Sequence, residues 1–460
     1  MFPVNKRHIL QGYAFLFMLT IIALNPLAPH RGTIWTQPKI FFVALITVLH
    51  LFFVWKQRKR IVLTQYWCRQ AIGWLTFLFL GTLSTLLSPL PTRSLLGHNI
   101  TADGLSYWCL IAGFVLTNSL VLQWYPNLFQ WQLRGILVGS TLVALSILPQ
   151  LFDWQIDYTF HSWKLWTGTD HILMSGVFQN HQSIGLYSHR GYAAFTLAIS
   201  SVIALVALKN SWIPQYIAFP LIGSSVPMLM LTEVRGAIVA MLVGWVWCWL
   251  RWFGSRRMIW VLVLLSFISL TVVSSATSTR RISNLEDYSF PSHITILKHF
   301  TSDRHGLWSK AWTGFEKRLW IGWGFSGYTM ADAFQSCPSE TVVITLDEYY
   351  FYCQTVDGQN LKVDSGATKA HNLVLDWLVS LGILGASTYL ILLGFSILVV
   401  ARFGTGLEAI AVTYVVYTLT WFDCGQISHL GWWILSVGAF EIGQVDRNLR
   451  GSTSSSCNWV

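Results

Sequence analysis

Twelve apolar runs divide the chain, at residues 10–27, 40–55, 71–87, 105–123, 135–152, 191–208, 212–231, 236–253, 258–276, 383–403, 407–422 and 430–443. A helix needs roughly 17 to 25 such residues to cross a bilayer core, so the runs predict a membrane bundle of about twelve spans, a few of them short. Composition agrees. Of 460 residues 53% are hydrophobic and 11% charged, against about a quarter charged in a soluble domain. Too few polar side chains remain to clothe a soluble globule, which excludes a disordered chain, a nucleic-acid-binding tail and most soluble enzymes. The net charge of +10 then reads as cytoplasmic anchoring and anionic ligands, with no nucleic acid as partner.

Charge placement orients the bundle. With a cytoplasmic N-terminus, the cytoplasmic connections hold Lys6, Arg7, Lys56, Arg58, Lys59, Arg60, Arg69, Arg134, Lys209, Arg251, Arg256, Arg257 and Arg402, and few acids. That is the positive-inside pattern. The opposite side carries most carboxylates and the two long segments, 153–190 and 277–370. Spans 1 to 9 then occupy 1–276, a large external loop with amphipathic helices 277–370, spans 10 to 12 residues 371–443, and a cytoplasmic tail 444–460. Segments of that length are more than connectors and are where function is sought. Cys337 and Cys353 both fall in the larger one, on the oxidising side, where a disulfide would close a loop of about 16 residues.

Few residues there suit chemistry. Arg235 opens a span in TEVRGAIVAML; an arginine at a membrane boundary must face water, a partner or an anion, and pairing with nearby Glu233 is the plainer reading. Gly236 beside it would admit a lipid headgroup to the backbone or serve helix packing. Arg304 stands at the start of an expected amphipathic helix, SDRHGLWSKAW, where its planar fork suits phosphate oxygens; a solvated surface arginine is the alternative. His371 and Asn372 open an apolar helix in AHNLVLDWLVSLGILG. There a neutral imidazole can accept a hydroxyl proton, or the pair can simply cap the helix. His181, His189 and Arg190 form another external polar group, able to touch substrate or to anchor the sixth span. Gly322, Gly324 and Gly327 are spaced like GxGxxG, but no strand-to-helix unit surrounds them. No DxD, GxSxG, HExxH or Walker motif occurs in the external segments, so neither a metal nor a cofactor is expected and nucleotide-dependent chemistry is disfavoured.

The blocks TEVRGAIVAML, Arg304 to Trp308, GWGFSGY and HNLVLDWLVSLGILGASTYL together resemble the O-antigen ligase and Wzy-type polymerase superfamily of bacterial envelope glycan enzymes. An arginine-glycine motif, a second arginine in the large loop and a histidine-asparagine motif follow in that order, separated here by 304 − 235 = 69 and 371 − 304 = 67 residues. The resemblance covers roughly 232–403; before it, topology alone agrees. It implies an all-α integral membrane protein with a GT-C-like bundle in the bacterial inner membrane, its site facing the periplasm. It also implies an undecaprenyl-diphosphate-linked glycan as donor and a hydroxyl on a glycan, lipid or protein as acceptor. Carried over residue by residue, Arg235 and Arg304 would grip the diphosphate and His371 would activate the hydroxyl without a metal; Arg190, His189 and Asn372 are expected as further substrate contacts from their external positions alone. Where relatives often carry an acid shortly before the LGILG-like turn, this chain has Ser380, with Asp376 one helical turn earlier. A transporter of a small anion or lipid-linked sugar is the second expectation, and a membrane scaffold the third.

Overall fold

The computed structural model describes residues 6–25, 28, 32–151, 166–167, 171–172, 183–253, 304–337, 342–346, 350–364 and 367–449. The expected ninth span (258–276), His181, the beginning of the large loop and residues 450–460 lie outside the described residues.

The first half is helical: α1 Lys6–Ile22, α2 Gln37–Lys56, α3 Gln65–Leu86, a short α4 Pro91–Leu96, α5 Leu105–Trp124, α6 Leu128–Leu151, α7 Arg190–Lys209, α8 Gln215–Leu231 and α9 Arg235–Phe253. A two-residue hairpin, β1 Trp166–Thr167 with β2 His171–Ile172, lies in the first external segment. The large loop contributes α10 Arg304–Lys317, α11 Gly327–Ser336 and strands β3 Val342–Leu346, β4 Tyr350–Gln354 and β5 Asn360–Asp364. The chain closes with α12 Leu373–Ala401, α13 Leu407–Leu419 and α14 Ser428–Leu449. Among the described residues five helical stretches are long and apolar enough to cross a membrane: Gly32–Lys56, Leu105–Trp124, Leu128–Pro149, Arg190–Lys209 and Leu373–Ala401. Three shorter apolar helices, Leu10–Ile22, Gln215–Leu231 and Leu407–Leu419, accompany them. Buried side chains of both halves form one continuous core, while Phe41, Leu75, Phe79, Ile391 and Leu398 point outward, each more than half exposed. Large apolar side chains facing out on long apolar helices suit a lipid surround.

The all-α expectation needs one correction. Strands β3, β4 and β5 form an antiparallel sheet in that order, with Val343 opposite Cys353 and Tyr350 opposite Asp364. The segments VVITL and YFYCQ are β-branched and aromatic, which favours a pleated, half-buried surface. Asp357-Gly358, with Gly358 at φ 80°, makes the turn between β4 and β5. A Cys337–Cys353 disulfide, Cα atoms 6.0 Å apart, ties this sheet to the end of α11.

Two features of the bundle position the site. Helices α9 and α13 run antiparallel, and small residues let them close. A Cβ added at Gly236 would lie 2.3 Å from Thr420 Oγ1, and one at Gly244 2.1 Å from Thr413 Oγ1. At the far end Arg251 Nε donates to Glu408 Oε1 at 2.9 Å. The glycine after Arg235 therefore serves helix packing.

The second feature is a break. The sequence places the tenth span at 383–403, but helix already starts at Leu373 and is interrupted at Gly382 (φ 65°, ψ −169°). Backbone groups released there are taken up by residues 319–324. Ile383 N–H donates to Leu319 C=O at 2.8 Å, and the N–H groups of Trp323 and Gly324 donate to Val379 and Ser380 C=O at 3.0 and 2.8 Å. In a membrane such groups must be satisfied internally. Added Cβ atoms at Gly322 and Gly382 would each fall within 2.5 Å of the facing backbone. The glycine-rich GWGFSG segment is thus a plug for the break, which removes the dinucleotide-loop reading on structural grounds.

Candidate active site

Four residues after the body of α13, Leu419 to Phe422, collect the groups singled out from the sequence. Gly236, next to Arg235 in the chain, packs on Thr420. Arg304, at the first turn of α10, donates from Nη1 to Thr420 C=O and stacks its guanidinium over the Trp421 ring, 5.4 Å from the centroid. Asn372 Nδ2 donates to Leu419 C=O at 3.2 Å. The His371 imidazole stands edge-on to Trp421 (4.5 Å, 82°) and Phe422 (5.0 Å, 80°). His189 lies on Trp421 as well, 5.2 Å between centroids. Trp421 is thus shared by two imidazoles and a guanidinium, each favourably placed on an aromatic ring. Nothing in the sequence marked it: a tryptophan ending an apolar run reads as an interfacial anchor.

His371 precedes α12 in a left-handed backbone conformation (φ 55°), uncommon for a side chain without local hydrogen bonding. Its Nδ1 is buried with no hydrogen-bond partner among the described residues. Burial, with the charges of Arg304, His189 and Lys369 adding to it, pushes the imidazole down to about 3. The ring is therefore neutral at pH 7. Burial also lowers the Arg304 guanidinium from its ordinary value, and it remains a cation at neutral pH.

Asn372 caps α12: its Oδ1 accepts from Val374 N–H at 3.0 Å and Leu375 N–H at 3.1 Å. With Nδ2 on Leu419, the amide ties helix to site, so it sits beside any substrate as scaffold. His189 caps α7, its Nδ1 accepting from Gly191 N–H at 3.0 Å. Arg190 pairs with Glu233 Oε2 at 3.5 Å, and Glu233 itself is left-handed (φ 56°). The acid that the plainer reading gave to Arg235 is thus held by Arg190. Arg235 is exposed and forms no ion pair with any described residue. A fixed cation without a counter-charge at a membrane boundary is suited to an incoming anion.

Beside these groups a small cavity is lined by Asp103, Ser326, Lys369, Asp376, Ser380 and Asp423. Lys369 lies two residues before His371, and Asp423 directly follows Phe422. Asp423 Oδ2 accepts from Tyr389 Oη at 2.8 Å and from Tyr414 Oη. Among the described residues no set of three His, Cys, Asp or Glu side chains is placed to hold a metal ion. What converges instead is the Arg304 guanidinium and a neutral imidazole on one indole, with the backbone at Arg235-Gly236 packed on Thr420 beside them, a setting suited to an anionic group.

No curated protein matches the chain. Residues 221–390, which span Arg235, Arg304 and His371, match the family model described as O-antigen ligase, which supports a relationship of this part of the chain to the O-antigen ligase and polymerase superfamily.

Proposed function

We propose that this protein transfers a glycan from an undecaprenyl-diphosphate donor to an acceptor hydroxyl at the periplasmic face of the bacterial inner membrane, in a GT-C-like bundle. The observation that carries this reading is the meeting of Arg235-Gly236, Arg304 and His371 around Leu419 to Phe422, although they are far apart in the chain. The disulfide in the loop over this end agrees with an oxidising, external compartment.

The chemistry follows from the residues. His371 takes the proton of the acceptor hydroxyl as its oxygen attacks the anomeric carbon. The bond from that carbon to the phosphate oxygen breaks with its electron pair, and the lipid diphosphate leaves. Arg235 and Arg304 meet the charge that develops on it, the role a divalent metal plays elsewhere. A single displacement inverts the anomeric centre. Edge-on packing against Trp421 and Phe422 keeps the imidazole neutral and oriented, and Arg304 is oriented by the same indole.

Purified protein in liposomes, given undecaprenyl-diphosphate-linked glycan and acceptor, should release lipid diphosphate and form the glycosidic bond. His371→Ala should abolish this while still inserting in the membrane, and undiminished transfer by that variant would remove the assigned base. Solute movement across the vesicles without cleavage of the lipid-diphosphate bond would instead establish the transporter reading.

A further inference from the structure

Two residues before His371, Lys369 is buried and forms an ion pair with Asp103, their side chains 7% and 3% exposed. Asp103 belongs to the connection between α4 and α5, more than 260 residues away. Its Oδ1 also accepts from Ser326 Oγ at 2.6 Å, Thr101 Oγ1 at 2.8 Å and His98 N–H at 3.1 Å. The carboxylate is thus fixed to Ser326 of the large loop and to two residues of its own connection before Lys369 reaches it. Burial opposes ionisation of Asp103, but Lys369 and these donors hold it well below the usual carboxylate range, and Lys369 in turn is raised by Asp103.

The rest of the segment is held as firmly. Thr368 C=O accepts from Thr329 Oγ1 at 3.1 Å, Ala370 N–H donates to Asp376 Oδ1 at 2.8 Å, and Asn372 caps α12. His371 alone sits in a left-handed conformation within this run. Such strain persists only where neighbours over-determine it. A buried ion pair is a poor source of net stability, since apolar residues of similar volume often do as well. Its retention here needs another reason.

We propose that Lys369 and Asp103 are positioning residues, whose ion pair holds the backbone of His371 in the conformation that directs its imidazole to the acceptor hydroxyl. The inference rests on His371 as the base and adds what orients it. Neither residue need touch substrate: their effect passes through two peptide units.

The test replaces both charges together, Lys369→Met with Asp103→Leu, so that no buried charge is left unpaired. Turnover should fall about 100-fold, the scale of a 1 Å misplacement, with KM for the lipid-linked donor within about twofold of the native value. In a His371→Ala background, where transfer is lost, the same replacement should leave binding of the lipid-linked donor unchanged, because it acts only through the residue that is gone. A purely structural pair would weaken donor binding in that background and raise KM in the native one as the site loosens; that pattern, or native turnover, overturns the proposal. Should the double replacement reduce insertion, Ser326→Ala removes one Asp103 contact and should lower kcat about threefold at constant KM, and native kcat there overturns the proposal equally. Full activity in His371→Ala alone would refute the base assignment. An inactive His371→Ala beside a fully active pair variant would refute only the positioning role.

Discussion

Gly236→Ala tests the site through packing, without removing any charged group. The added Cβ would stand 2.3 Å from Thr420 Oγ1 and 3.1 Å from Thr420 Cβ, whereas ordinary contact begins near 3.4 Å. Helices α9 and α13 must therefore separate by about 1 Å at this end. Thr420 cannot easily turn aside, because it is β-branched and its hydroxyl donates to Tyr417 C=O at 3.0 Å. Overpacking of this kind costs about 1–3 kcal/mol, while alanine gains about 1 kcal/mol over glycine within a helix, so the net loss of stability is about 0–2 kcal/mol. The functional loss should be larger: a displacement of 1 Å between Arg235 and the Thr420–Trp421 segment that seats Arg304 is worth about 100-fold in rate. Thr420→Ala in the same chain removes the clashing oxygen and should recover about half of that loss in free-energy terms, a coupling between contacting residues. The assay is initial-rate transfer in liposomes, with thermal unfolding followed in parallel. If Gly236→Ala works at the native rate, or if Thr420→Ala does not relieve it, the argument that Gly236 sets the spacing of the two arginines is wrong.

Four further outcomes are expected. Asn372→Asp should keep the α12 cap and hence the melting temperature but lose the donor to Leu419 and with it most transfer, whereas Asn372→Ala should also lose about 1 kcal/mol of stability; thermal unfolding and rate measurement separate the two. Trp421→Leu should weaken donor binding and turnover together, while Trp421→Phe keeps a ring for Arg304 and His371 and should retain most of both, as read by donor titration and initial rates. Because the His371 imidazole is held down to about 3, it takes up a proton only far into the acid range, so kcat/KM should show no loss through the ordinary histidine range near 6.5. Arg304→Gln removes one charge that depresses it and should bring the acid limb of the pH profile upward. Cys337→Ser with Cys353→Ser should loosen the β3–β5 sheet by about 3 kcal/mol in the chain-entropy picture, visible as faster hydrogen exchange there, with transfer retained.

Much of the architecture was legible because bilayer thickness and helix rise fix the length of an apolar run. Arg235, Arg304 and His371 stand out in the sequence for a different reason: a charged or titratable group at a membrane boundary is costly unless it faces water, a partner or an anion. What escaped reading depends on contacts distant in sequence. Glu233 is two residues from Arg235 yet pairs with Arg190, because its left-handed backbone turns it away. Trp421 looks like any interfacial tryptophan until three helices bring His189, Arg304 and His371 onto it. Lys369 and Asp103 carry no local signal, being separated by most of the bundle. The break at Gly382 falls where the tenth apolar run begins, but helix also precedes it, and the partner that completes its backbone is the glycine-rich segment some sixty residues earlier. The sheet in the large loop was masked by the helical character of its surroundings, although VVITL is β-branched and YFYCQ alternates in burial as a strand does.

The break in α12 divides it into two rods with separate duties. The lower rod, 383–401, must match its length to the surrounding lipid and tilts as thickness changes. The upper rod, 373–381, is stitched instead to the external segment 323–327 and, through Ser84, to α3. Thinning or thickening of the bilayer would therefore be taken up at the joint, and His371 would keep its place while the membrane beneath it flexes.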